Sequence, residues 1–274
     1  FCVRNDWVSQ LKAQQAVFES VKKKVGQNPN VLVIQGVAFD QPPYYIMTEL
    51  FEGKDLLTWA HDRGGGAPAI PFPTRLELIA QAAAGLAGAH EGRILHRCLR
   101  PENILVAGSG MTPKDVQVKL AHFGVGEVAL RARDEAESHP HDAHPVPEGE
   151  TPAPSIEDMY KAPEVIAGQE PTAKSEVYSL GVVLCQLILG NLSEPLTPKR
   201  MTEIVGSLKR DGLTNVFAAE PQARAEGTGR MVSELRNAIK DREARVTWQG
   251  ETSRRQLIER IVMISLSVIA AVAM

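Results

Sequence analysis

The chain has 274 residues, 43% of them hydrophobic, with 30 basic against 33 acidic side chains and a formal net charge of -3. A length of this order allows one large domain or two small ones, and a near-neutral balance with no basic block longer than Lys22-Lys23-Lys24 excludes the electrostatic footprint of a nucleic-acid binder. Cys2, Cys98 and Cys185 are odd in number and far apart, which disfavours a disulfide framework and a zinc site and fits a reducing, cytoplasmic setting.

The chain begins on Phe1 and an apolar stretch without the pattern of a signal peptide, so its start reads as cut. From Val8 to Val25, Leu11, Val17, Phe18, Val21 and Val25 recur at three- and four-residue steps, which predicts an amphipathic helix ended by Asn28-Pro29-Asn30. Val31 to Phe39 and Tyr44 to Phe51 are β-rich runs on either side of Asp40-Gln41-Pro42-Pro43, as in two antiparallel strands. Helical patterns follow over Asp55 to Asp62 and Thr74 to His90, the second rich in small residues that permit close packing. Between Glu127 and Asp158, prolines, histidines and carboxylates displace large apolar residues, the composition of a disordered segment. His139, His141, Asp142 and His144 there are of metal-ligating types, but a solvated loop explains them as well. Val177 to Leu189 is almost wholly apolar and predicts a buried helix. Ile261 to Met274 is uncharged and follows Arg254, Arg255 and Arg260, as at the cytoplasmic entrance to a spanning helix of about 20 residues; a C-terminal core helix is the alternative.

Ile94 to Val106 reads ILHRCLRPENILV and Val118 to Gly124 reads VKLAHFG, which resemble the catalytic loop H-R-D-L-x-x-x-N and the D-F-G region of the protein kinase family. Ala162-Pro163-Glu164 matches A-P-E, and Ser175 to Gly190 looks like the buried central helix of the family's large lobe. Tyr45 to Glu49 resembles the last small-lobe strand and hinge. The resemblance implies an α+β, two-lobed protein-kinase-like fold whose small lobe lacks its first strands and whose large lobe is mainly helical. Its implied divisions are a partial small lobe and hinge at 1–53, a large lobe at 54–250 with a long activation segment at about 125–160, and a juxtamembrane stretch with the start of a transmembrane helix at 251–274. The Gly-rich loop of the family would lie upstream.

Carried over residue by residue, the resemblance places Cys2, Arg4, Glu19, Thr48, Glu49, Phe51 and Leu105 at the nucleotide. Arg4 takes the place of the phosphate-binding lysine, and Glu19 that of the helix glutamate that pairs with it. Thr48 stands at the gatekeeper position, Glu49 to Phe51 lie along the adenine edge, and Leu105 forms the pocket floor with Cys2 in its roof. Lys23, one turn after Glu19, stands where relatives usually place an apolar residue. Arg245 matches the late arginine that pairs with the A-P-E glutamate, here Glu164; Glu176 takes the place of an aspartate that holds the catalytic loop; Arg97 is the residue that would answer a phosphate on Thr151 or Ser155.

The catalytic positions depart from the family. Cys98 replaces the loop aspartate, Arg100 the lysine two residues on, and His122 the D-F-G aspartate. A thiol is no substitute for a carboxylate proton acceptor, and losing a general base costs about 10²- to 10⁴-fold in rate. Magnesium selects oxygen ligands, so Asn103 is left as a weak, single metal ligand, while a protonated His122 could supply a cation beside phosphates instead. These changes imply a pseudokinase that binds ATP, with magnesium weak, and signalling partners. A weakly active serine/threonine kinase and a nucleotide-free interaction platform are the alternatives. With the C-terminal run, the layout resembles the cytoplasmic domain of a single-pass bacterial kinase-like receptor.

Overall fold

The structure is a computed structural model, and it describes residues 8–124, 158–193, 196, 221–224, 228–242 and 244. The first predicted helix forms as two consecutive helices, α1 (Val8–Ala13) and α2 (Gln15–Lys24). Leu11, Phe18 and Val21 make their shared buried stripe. Two antiparallel strands follow, β1 (Ile34–Ala38) and β2 (Tyr45–Thr48), with Ile34 opposite Thr48 and Val37 opposite Ile46. They pair where the alternation predicted them.

A second sheet of order β3-β4-β5 is built from β3 (Lys54–Asp55), β4 (Ile104–Ala107) and β5 (Gln117–Leu120), all antiparallel. Helix α3 (Leu56–His61) starts where the Asp55 carboxylate accepts the Thr58 N–H at 2.9 Å, a side-chain N-cap of the ordinary kind. Helix α4 (Phe72–Glu91) and the short α5 (Pro163–Ile166) precede α6 (Ala173–Leu189). A reciprocal Thr172–Ser175 capping box opens α6, and Gly190 closes it at φ 85°, a left-handed conformation that costs glycine least. A further helix, α7, runs over 228–242.

The core lies between α4 and α6, where Leu76, Ile79, Leu86, Val177, Leu180, Val183, Leu184 and Leu187 are all fully buried. Small residues on α4 let the turn after α2 dock directly on it. A Cβ on Gly85 would stand 2.5 Å from the Asn30 carbonyl oxygen, so only glycine allows that approach. Asn28 donates to the Ala84 carbonyl at 3.2 Å, and Asn30 donates from its side chain to Val118 at 2.9 Å. The Asn28-Pro29-Asn30 turn thereby joins the segment carrying α2 to both α4 and β5.

Among the described residues, Glu164 has an arginine partner that the sequence did not mark. Glu164 is held by Arg224, which donates Nη1 to Oε1 at 2.6 Å and Nη2 to Oε2 at 2.9 Å, with its guanidinium 4.9 Å from the Tyr178 ring. Arg245 lies outside the described residues. The pair is almost entirely withdrawn from water, with side-chain exposures of 0% for Arg224 and 8% for Glu164. Desolvation opposes the Glu164 charge, but the Arg224 hydrogen bond and charge outweigh it and hold the carboxyl below its ordinary pKa.

Removing one partner of a buried pair strands the other charge, so Arg224→Met is expected to cost about 3 to 5 kcal/mol in urea denaturation at neutral pH. Because the folded pKa of Glu164 is depressed, the pair's stabilisation is complete above the unfolded carboxyl value of about 4.3 and is lost as pH falls through the lower folded value. The gap between wild type and variant should therefore close in strong acid. A gap that stays constant with pH would show that packing, and not charge, carries the effect.

Candidate functional site

The segment 94–103 joins α4 to β4 and is anchored from below by α6. The Glu176 carboxylate accepts the Arg97 main-chain N–H at 2.6 Å on Oε1, and its Oε2 lies 2.6 Å from His90 Nε2 at the end of α4. The expected hold of Glu176 on the loop is thus present despite the extra methylene. Arg97 has φ 66°, an uncommon conformation for a residue with a side chain, and the bond from its N–H is among those that hold it there.

His96 is buried beneath the loop. Its Nε2 donates to the Ala121 carbonyl at 2.8 Å, its Nδ1 lies 3.4 Å from the Cys98 N–H, and its ring packs against Phe123 with centroids 4.5 Å apart. Burial lowers its pKa, in keeping with a neutral ring that donates on one edge and accepts on the other.

Above His96 the structure brings Cys98, Asn103 and His122 together. Asn103 donates Nδ2 to the Cys98 carbonyl at 2.6 Å, with Cys98 Sγ 3.5 Å away. Its Oδ1 lies 2.9 Å from His122 Nδ1, and its main-chain carbonyl accepts the Ala121 N–H at 3.0 Å. Arg100 stands beside them, 3.7 Å from the Glu102 carboxylate. Desolvation is the main cause that lowers the His122 pKa, with the nearby His96 ring and the Arg100 charge acting in the same direction. Both the direction of that shift and the geometry run against the expectation that His122 supplies a cation, since its Nδ1 edge is committed to the Asn103 amide.

The residues expected along an adenine edge come from the link between the two sheets. Thr48 ends β2, and the next residue, Glu49, donates its N–H to the Val33 carbonyl at 2.9 Å. The Glu49 carboxylate accepts the Val33 N–H at 2.9 Å and the Lys119 ammonium at 2.8 Å. Although desolvation opposes its charge, the Lys119 and Val33 hydrogen bonds lower its pKa. Leu105 is the strand partner of Lys119, so this ion pair sets the hinge against the strand that carries the expected pocket floor. Phe51 folds over Gly53, where a Cβ would stand 2.7 Å from the Val106 carbonyl oxygen. The side chain of Glu49 is thus a brace, and a purine edge there would be read by main-chain groups.

Glu19 is not brought to the site. It is exposed on α2, while Val17 and Phe18 of the same helix approach Gly124. Successive helical residues lie about 100° apart, so burying Phe18 and Val21 turns both Glu19 and Lys23 outward. Cys2 and Arg4 lie outside the described residues, as do Thr151, Ser155 and the histidine cluster at 139–144. Three contributors escaped the sequence reading: His90, Lys119 and Arg224. Of these only Lys119 left a signal, a lone charge in the apolar run VKLA.

The residues present do not fit a magnesium ion. That hard ion takes oxygen ligands at 2.0–2.1 Å, whereas the site offers a thiol, an imidazole and one amide oxygen already bonded to that imidazole. Among the described residues no group of three His, Cys, Asp or Glu could hold a metal ion.

Comparison with known proteins accords with this geometry. The family model described as protein kinase domain matches residues 2–250. A probable serine/threonine-protein kinase of Clostridium perfringens is 25% identical over 230 residues, covering 78% of this chain and 30% of the relative. PknB of Lactococcus lactis, a probable serine/threonine-protein kinase, is 26% identical over 188 residues, covering 69% of this chain and 26% of the relative. The chain thus spans less than a third of the length of these curated relatives. The crystal structure of the Mycobacterium tuberculosis PknI kinase domain superposes with a TM-score of 0.58 at 20% identity, over 86% of this chain and 84% of that one, which shows the shared two-lobed fold. With the family model spanning nearly its whole length and its catalytic-loop, hinge and central-helix elements in the expected order, the chain belongs to the protein kinase domain family.

Proposed function

We propose that this chain is a membrane-anchored, protein-kinase-like signalling domain that binds nucleotide and partner proteins and transfers phosphate very slowly or not at all. The observation that carries this reading is the pairing of Asn103 with His122 beside Cys98: no carboxylate stands at either catalytic position. Phosphoryl transfer is mostly positioning and charge stabilisation, and the base and the metal make separate contributions to it. Loss of the base alone, at about 10²- to 10⁴-fold, raises the barrier by about 3 to 5 kcal/mol before the metal is considered. A weakly active kinase is the second reading, favoured by the retained stacking of His96 on Phe123 and by the loop's anchor on Glu176. An interaction platform without nucleotide is the third.

Transfer of labelled phosphate by the full-length protein to itself and to generic substrates is expected to be undetectable, and to appear when Cys98→Asp and His122→Asp are combined. Turnover by the wild type at the ordinary kinase rate of about 1 to 100 per second would overturn the proposal.

Nucleotide binding reads out as stabilisation by RT ln(1 + [L]/Kd), about 2.7 kcal/mol at a hundredfold excess over Kd. A thermal shift with ATP is expected both in magnesium and in chelator. A shift in neither condition would favour the platform.

Anchoring rests on the apolar run at 261–274, which lies outside the described residues; among those described, no helix is long and apolar enough to cross a membrane. Full-length protein is expected in the membrane fraction and protein ending at Gln256 in the soluble one. Recovery of both in the soluble fraction would assign the run to the core.

A further inference from the structure

Asn103 and His122 stand where the family places its metal ligands, yet here they are bonded to each other. The chemistry of that bond is determined by its surroundings. The Cys98 carbonyl can only accept, so the Asn103 group 2.6 Å from it is the NH₂, and the amide oxygen must face His122. An amide oxygen in turn only accepts, so His122 Nδ1 carries the hydrogen, and the ring's lone pair is on Nε2, at its other edge.

We infer that the His122–Asn103 hydrogen bond takes the place of a divalent ion, pinning the 121–124 turn to the catalytic loop without any ligand and setting an N–H against the amide oxygen that magnesium would need. An ion 2.0–2.1 Å from Asn103 Oδ1 would meet an N–H pointed at the same oxygen. Turning the ring would present a nitrogen lone pair, which suits zinc, copper or iron better than magnesium. An aspartate facing Asn103 would need a cation beside it, whereas a neutral imidazole facing a neutral amide needs none.

The rest of the turn is held to match. Ala121 is bonded on both sides, its N–H to the Asn103 carbonyl at 3.0 Å and its carbonyl to His96 Nε2 at 2.8 Å. Phe123 is buried against His96, and Gly124 packs against Val17 and Phe18 of α2. His122 itself sits at φ 68°, a conformation a non-glycine residue keeps only when its neighbours over-determine it. The arrangement that a metal would otherwise assemble is thus a fixed property of the chain, and the surface around 121–124 is the same with and without magnesium. This concerns the metal position alone and holds whether or not a nucleotide binds.

The test uses full-length protein with ¹⁵N-labelled histidine, in chelator and in millimolar magnesium chloride, each with and without ADP. Long-range ¹H–¹⁵N spectra, with the His122 signal assigned by its loss in His122→Ala, should show the Nδ1–H tautomer unchanged across all four conditions. Asn103→Leu should abolish that signature while His96 keeps its own. Hydrogen exchange of the wild type provides a readout that needs no variant: amides of 121–124 should be protected in chelator and unaffected by magnesium. A His122 ring protonated on Nε2 alone, a signal that magnesium displaces, protection that requires magnesium, or protection in neither condition would each overturn the inference. None of these readings depends on turnover, so a failed phosphotransfer or nucleotide result leaves this one separately decidable.

Discussion

The catalytic loop holds its shape because a carboxylate lies beneath it with both oxygens in use. Glu176 projects from a helix that is almost wholly apolar, where an unpaired charge would be very costly, and it is compensated by the Arg97 N–H and by His90. Helix α6 is fixed by its packing on α4, and His90 lies in the last turn of α4, so the two helices that make the core also set the floor of the site. Everything above that floor inherits its position: Arg97 in a left-handed turn, His96 stacked on Phe123, Cys98 against Asn103.

On that frame the chemistry has been exchanged while the geometry persists. Two carboxylate positions have become a thiol and an imidazole, and the amide between them bonds to both sides. A family built to place negative groups around a metal here places neutral ones around each other. Neutral hydrogen-bonded groups carry a far smaller burial penalty than unpaired charges, so the loop and the 121–124 turn stay together without an ion to balance them.

The hinge shows how a site residue can serve the scaffold instead. Glu49 lies on the expected adenine edge, yet its carboxylate and its N–H are both committed, to Lys119 and to the strand backbone at Val33. The lobes are therefore joined by a largely buried ion pair as well as by the Asn28-Pro29-Asn30 turn on α4. Breaking either joint would alter the spacing between the hinge and Leu105, the dimension that a purine would sense.

Much of this protein is legible along the chain. Apolar spacing at helical or alternating period located α2, α4, α6 and the first two strands, because burial on one face imposes that period on any sequence. The order of HRC, PEN, HFG and APE disclosed the fold, and the identities of Cys98 and His122 disclosed a site without carboxylates at those two positions, since protonation and metal preference belong to the side chain itself. Partnership does not. Glu164 is bonded to an arginine 60 residues away that no motif marks, and the bond between Asn103 and His122 spans 19 residues with its direction set by a third group, the Cys98 carbonyl. Glu19 has the residue type and spacing of a site residue, but the buried stripe of its helix rotated it into solvent. Residue type and period are local quantities carried by the chain, whereas a hydrogen bond depends on distances and angles that exist only once α4, α6 and the second sheet have packed.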